Sequence, residues 1–273
     1  MSHLSITLNE ADTTAAIEGN LFEYWLYMAQ PPILKVSSEH GALSFISNLS
    51  DPYYNTVMAA KFTEAGVVEH VDAILDTFAS KGLPMTWWIT PSTQPLSLGA
   101  YLRYRGLDVE EHYPAMALNL TLVEPVIDLS STLRVTRVQD SHSLAEWMKT
   151  YSTNFEMMDE VCEVVHKIYE ELGFDEDSPL QHYSIVLDGK VVATSTLFIG
   201  GGVAGIWGVT TLPEVRRQGF GRAITLGTLL DAKKRGLKTA ILFSSTAGLN
   251  LYRQIGFREV FQVTYYTGIP VKH

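Results

Sequence analysis

The stretch Val209-Thr210-Thr211-Leu212-Pro213-Glu214-Val215-Arg216-Arg217-Gln218-Gly219-Phe220-Gly221-Arg222-Ala223 decides how the rest of the chain is read. It leaves a strand-like run, turns through a basic loop bearing two glycines, and enters a helix over Gly219 to Arg235 with Ala223, Ile224, Gly227 and Leu230 inward. Lys233, Lys234 and Arg235 fill the last turn of that helix and Gly236 stops it. A loop of this kind aims consecutive main-chain N–H groups at one spot and adds the positive end of the helix dipole, which suits phosphates. Gly219 and Gly221 let the backbone approach such a ligand, because a side chain there would stand in its place. Two other phosphate loops are disfavoured. A dinucleotide fingerprint wants a third glycine, where Ile224 stands, and an acid after the next strand, where the chain reads Phe243-Ser244. A nucleoside triphosphate loop needs Gly-Lys-Ser/Thr, which is absent.

Around this loop the second half of the chain reads as a strand (Leu133 to Val138), two helices (Ser141 to Tyr151, Met157 to Leu172) and three strands (His182 to Leu187, Val191 to Ile199, Val203 to Thr210). After the glycine-led helix come a strand (Thr239 to Phe243), a short helix (Ala247 to Gln254) and a last strand (Arg258 to Tyr265). The first half follows a similar order. A helix over Asn9 to Gln30 stops at Pro31-Pro32; strands follow at Ile33 to Val36, Ala42 to Ser47 and Asn55 to Phe62, then a helix at Val67 to Phe78. Pro84 to Thr90 is a buried-type strand, Leu96 to Arg105 a helix, and Pro114 to Leu122 a strand. Trp88-Ile89-Thr90-Pro91-Ser92-Thr93 with Leu102 to Leu107 lies over Ile241 to Thr246 with Tyr252 to Phe257, which makes the repeat concrete. Glu124 to Thr132, with Pro125 and Ser130-Ser131, is the best linker, so the expected domains are 1–128 and 129–273.

Composition narrows the function. With 273 residues, 46% hydrophobic and 18% charged, the chain can bury a core and is neither disordered nor collagen-like. The net charge of −10 falls on residues 1–130, because 131–273 carry equal numbers of acids and bases, so no broad basic face for nucleic acid is expected. Within the second half, acids crowd Glu156 to Asp177 and bases crowd Arg216 to Arg258, which suggests an anionic ligand on one side of a site and a cationic one on the other. One cysteine excludes a disulfide framework, and the eight histidines show no zinc spacing, so no metal is expected. The uncharged run around Val191 to Pro213 is interrupted by Gly200-Gly201-Gly202 and reads as a hairpin rather than a membrane span. Met1 to Thr14 carries Glu10 and Asp12 and shows no signal-peptide layout, so the expected compartment is the cytoplasm.

The spacing Arg216-x-x-Gly219-x-Gly221 after a Thr-x-Pro strand end, about thirty residues before Leu251-Tyr252-x-x-x-Gly256-Phe257, resembles the GNAT superfamily of acyl-coenzyme A dependent N-acetyltransferases. The likeness is strong over Val203 to Phe261 and extends by element order back to Leu133. It implies an α/β (α+β) fold of two tandem lobes, each a mixed, mostly antiparallel sheet flanked by helices. It implies acetyl-coenzyme A as cofactor, one per chain in the C-terminal lobe. Main-chain amides over Arg217, Gln218, Gly219, Phe220, Gly221 and Arg222 would take the pyrophosphate, with Arg216 as the leading base. Val209, Thr210 and Thr211 would pair with the pantetheine arm, Asn250 would give a polar contact, and Tyr252 would protonate the leaving thiolate. The acceptor would be a primary amine of a small molecule or peptide, with no membrane partner and with homodimerisation left open.

There are departures. Many members carry a glutamate base on the strand before the loop, yet Val203 to Leu212 holds no acid; Glu214 lies beyond it and reads as surface, so a water chain is the expected route for the amine proton. The missing carboxylate keeps open a rival reading, a coenzyme A binding or regulatory protein without turnover. Where the first half should carry its loop it reads Lys61-Phe62-Thr63-Glu64-Ala65-Gly66-Val67-Val68-Glu69, with acids for bases, as in a degenerate copy. Cys162 reads as a packed thiol, Trp87 and Trp88 as core, Phe198 and Trp207 as either core or acceptor wall, and His166 and His182 as residues without a sequence partner.

Overall fold

The computed structural model describes residues 9–124 and 133–272. All of the expected linker except Glu124 lies outside them. The described elements run α1 (Glu10–Met28), β1 (Lys35–Ser37), β2 (Leu43–Ile46), β3 (Thr56–Met58), α2 (Val67–Ala79), β4 (Met85–Ile89), α3 (Leu98–Tyr104), β5 (Asp108–Asn119) and β6 (Val135–Arg137). They continue with α4 (Ser141–Asn154), α5 (Asp159–Leu172), β7 (Leu180–Leu187), β8 (Lys190–Gly200), β9 (Val203–Thr211), α6 (Phe220–Lys234), β10 (Thr239–Phe243), α7 (Leu249–Ile255) and β11 (Arg258–Gly268). No described helix is long and apolar enough to cross a membrane.

The chain divides into one unit of Met1–Tyr24 with Pro114–Phe261 and a second of Trp25–Tyr113 with Gln262–His273. This division differs from the expected boundary at 128/129, and strand pairing gives the reason. The last strand of the first half, β5, pairs through Ala115–Asn119 with β10, while the last strand of the second half, β11, pairs through Thr264–Gly268 with β4. Each half thus contributes its final strand to the other unit, a long-range choice that no linker signal encodes. β5 also starts six residues before the expected Pro114 and ends in a 3-10 turn over Leu120–Leu122.

In the first unit the strand order is β5-β10-β9-β8-β7-β6, antiparallel except for β9 with β10. Strand alternation gives this sheet two faces. On one, Ile224 and Leu229 of α6 join Leu197, Ile206 and Leu242 in a buried core, and Tyr183 donates to Asp231 of α6 at 2.6 Å. On the other, Trp147 of α4 donates to the Tyr183 carbonyl at 3.0 Å and Thr150 to the Val191 carbonyl at 2.6 Å. The part of α1 up to Tyr24 is pinned to the β8–β9 hairpin. Asn20, fully buried, donates to the carbonyls of Phe198, Gly200 and Val203, and Glu23 accepts the Gly201 amide at 2.8 Å. A Cβ on Gly201 would lie 2.6 Å from the Ala16 carbonyl, so the glycine turn is also a docking surface for the helix.

In the second unit the order is β1-β2-β3-β4-β11, with only β3 and β4 parallel. Val71, Leu75 and Phe78 of α2 pack with Val57, Trp87, Leu102 and Tyr266. Trp87 and Trp88 are buried, in keeping with the core reading.

Candidate functional site

The second glycine-bearing feature of β9 is a bulge. Pairing of β8 with β9 runs Thr196 to Trp207 and then Thr194 to Thr210, so Gly208 and Val209 together oppose Ser195. Gly208 has φ +56, and a Cβ on it would stand 2.9 Å from the Tyr151 ring. On its other edge β9 pairs with β10 only at Ala204/Ala240 and Gly205/Ile241. Beyond Gly205 the two strands part, and the edge of β9 turned from β8 over Ile206–Thr210 keeps main-chain groups for another partner, while the Thr211 carbonyl accepts from Arg216. The sequence expectation placed Val209, Thr210 and Thr211 on this edge. Sequence reasoning missed the bulge itself, although a lone glycine between Trp207 and Val209 in a strand was the available signal.

The loop from Arg216 to Arg222 follows directly. Gly219 caps α6 with φ +92, and Arg217 also takes a left-handed φ of +62. The left-handed geometry favours glycine at 219, whereas Gly221 is limited by packing: its Cβ would lie 3.3 Å from Thr211 Oγ1 and 3.5 Å from Leu251. Where α4 is closed by Asp140, whose carboxylate accepts the Ser143 amide, α6 has no side-chain cap. Its first main-chain bond joins the Ala223 amide to the Gly219 carbonyl, so among the described residues the amides of Arg217 through Arg222 find no acceptor in the chain. Six consecutive donors at a helix N-terminus, flanked by three exposed arginines, form an anion cradle. Arg216 is fixed from both sides, donating to the Thr211 carbonyl at 3.1 Å and to Asn154 of α4 at 3.0 Å. The Phe220 side chain is buried in the core, and Gln218 donates to the Glu214 carbonyl. Asn154 escaped sequence reasoning because nothing local links it to a residue sixty positions away.

Helix α7 stands beside this cradle through Leu251. Tyr252 is 8% exposed, its ring edge on Phe257 at 5.9 Å. Burial raises its pKa well above the usual phenol value, so the hydroxyl stays protonated, and among the described residues it has no hydrogen-bond partner. Asn250 is exposed on the same helix. Glu214 is exposed and ion-paired with Lys190 at 2.9 Å, as a surface residue would be. Cys162 is half-buried with its thiol on the Met157 carbonyl at 3.7 Å.

On the opposite face Trp207 stacks on Tyr24 at 4.4 Å, donates to Asn20, and meets Phe243 at 5.4 Å. It therefore bridges β9 and β10 just past the point where they separate, whereas Phe198 is packed under Tyr24. The hydroxyl of Tyr24 is pushed up to about 12 by burial, partly offset by Tyr169. His182 lies between Trp147 and Tyr169, with Nδ1 on Thr196 at 2.8 Å and Nε2 buried and, among the described residues, without a partner. Burial lowers its pKa from 6.5 to about 3, so the ring is neutral and too weak a base to serve near neutral pH. The folded value is depressed, so its contribution to stability is complete above the unfolded value of 6.5 and is lost as pH falls from there toward 3. Urea unfolding at pH 7.5 and 5 should show His182→Gln losing less stability on acidification than the parent; equal losses would contradict this role.

The corresponding loop of the second unit engages two of its amides within the unit. The Phe62 amide donates to the Gln94 carbonyl, the Gly66 amide to both oxygens of Thr63, and Glu64 accepts from Ser97. Phe62 stacks on His70 at 5.3 Å. Gly66 has an ordinary right-handed φ of −98, and Glu64 and Glu69 stand where the first unit's loop carries arginines.

Residues 143–257 match the model of the acetyltransferase (GNAT) family. No curated protein matches the chain in sequence. Among solved structures, the chain is similar to a GCN5-related N-acetyltransferase from Kribbella flavida, at 17% identity and a TM-score of 0.68, with 96% of each chain covered. A functionally unknown conserved protein from Staphylococcus epidermidis gives 12% identity and 0.65, with 87% of this chain and 94% of that one covered. A GCN5-related N-acetyltransferase from Sphaerobacter thermophilus gives 16% and 0.58, with 85% and 78% covered. At these identities the likeness is one of fold.

Proposed function

We propose that this chain, whose residues 143–257 match the acetyltransferase (GNAT) family model, moves an acetyl group from acetyl-coenzyme A to a primary amine of a small molecule or peptide, by direct attack in a ternary complex. The observation that carries this reading is the row of unpaired amides at Arg217–Arg222 beside the parted edge of β9. Their chemistry suits a pyrophosphate followed by an amide-bearing arm. When bound, acetyl-coenzyme A supplies an activated thioester. The amides, with Arg216, Arg217 and Arg222, hold its anionic end, and the open edge through Val209, Thr210 and Thr211 orients the arm. Tyr252 holds a proton on Oη for the departing thiolate, and Asn250 adds a polar contact from the same helix. With no carboxylate on β9 and a neutral His182, the amine proton leaves through water, and positioning supplies most of the rate.

The second unit is a degenerate copy of the same scaffold, and the acids Glu64 and Glu69 at its loop, against Arg216, Arg217 and Arg222 in the first unit, support a single acetyl-coenzyme A per chain. The exposed acids of α5, Asp159, Glu160, Glu163, Glu170 and Glu171, face one exposed base, Lys167, and favour a cationic acceptor. In competition between equimolar spermidine and glutamate, read by product mass, the acetylated polyamine should exceed the acetylated amino acid at least tenfold. A preference for glutamate would overturn the charge argument.

A further inference from the structure

We propose that the second unit holds a separate binding site, for a small primary amine with an apolar body, in the cavity between α2 and α3. The cavity has a volume of about 330 Å³ and is lined by Val68, Val71, Asp72, Ala100, Tyr101 and Tyr104, with Arg105 at its floor. Its walls are aliphatic and aromatic, and its rim is exposed: Val68 by 49% and Tyr104 by 76%. Such walls favour a ligand with a compact apolar body.

Charge at the floor decides what the ligand's polar end must be. The Arg105 guanidinium is buried and already engaged. It donates to Asp72, to Asp76 at 2.7 Å, and twice to the Val271 carbonyl at 3.1 and 3.0 Å. One guanidinium thus stands against two carboxylates, both partly exposed, of which Asp72 lines the cavity. Asp72 meets Arg105 through Oδ1, and among the described residues its other oxygen has no partner, while the side chain remains 37% exposed in the cavity lining. Glu69, exposed in the first turn of α2 next to the lining residue Val68, carries charge of the same sign. The other base on α3, Arg103, stands over the Tyr266 ring at 5.7 Å instead of joining this floor. An ammonium group can take the remaining oxygen of Asp72 while its apolar body lies between Val71 and Tyr101, with Tyr104 at the rim. A carboxylate or phosphate would meet repulsion at the same place, and a neutral analogue would forgo the ionic contact.

Calorimetric titration of the full chain with 2-phenylethylamine at pH 7.5, in the absence of acetyl-coenzyme A, tests the site. One molecule per chain is expected, with 2-phenylethanol and ethylamine each at least tenfold weaker. Val68→Arg, on an exposed position, places a cation in the mouth and should weaken the amine at least tenfold; Tyr104→Ser should weaken it severalfold. Both variants should retain parental acetyl transfer, which separates this cavity from an acceptor site. Absence of amine binding by the parent, unchanged binding by both variants, equal affinity for the alcohol, or a parallel loss of turnover would each overturn the proposal.

Discussion

Replacing Gly221 by aspartate should abolish acetyl-coenzyme A binding in a protein that still folds. The Cβ would enter the narrow space between Thr211 Oγ1, at 3.3 Å, and Leu251, at 3.5 Å, where a small adjustment of either side chain suffices. The new carboxylate would lie in the first turn of α6, where a negative charge stabilises the helix. Folding is therefore preserved by the same electrostatics that attract a phosphate. The carboxylate takes the unpaired amides for itself and repels the ligand's anionic end. Losing two charge-assisted hydrogen bonds of roughly 1.5–3 kcal/mol each corresponds to at least a hundredfold weaker binding. Calorimetry should detect no binding at concentrations that saturate the parent, and unchanged affinity in the folded variant would remove the cradle from the account.

Tyr252→Phe should act on rate and leave binding alone. The hydroxyl has no partner among the described residues, so its removal breaks no protein hydrogen bond, and the ring keeps its contact with Phe257. A proton held on a buried phenol matters when the thiolate departs, not while the thioester is intact. The expected loss in kcat is about ten- to a thousandfold, with the acetyl-coenzyme A dissociation constant unchanged. Full activity would reduce Tyr252 to a packing residue.

The parts of this molecule governed by local pattern were legible before the fold was known. Thr239–Phe243 is one such element, found at its expected bounds, because a short β-branched and apolar run follows a glycine-stopped helix. The loop at Arg216–Arg222 was legible for a similar reason, since a glycine-bearing basic turn entering a helix is written in consecutive residues. Long-range choices were not legible. The exchange of β5 and β11 between units depends on which edge each strand meets, and nothing in Asp108–Tyr113 distinguishes a strand start from a loop. Nothing in the helical run Asn9 to Gln30 sets Asn20 apart, and only the β8–β9 hairpin turns it into a buried clamp on three carbonyls. The split between β9 and β10 likewise follows from the Gly208 bulge together with the end of parallel pairing at Gly205, two features in different strands' registers.

The most direct test of acyl transfer by this scaffold is the steady release of free thiol from acetyl-coenzyme A, measured with and without a panel of amines, polyamines, amino acids and aminoglycosides. Continuous release is expected that requires an amine, saturates with it, and is lost in Gly221→Asp. Tight binding of acetyl-coenzyme A with no amine-dependent release across the panel would contradict it and leave a coenzyme A binding protein without turnover.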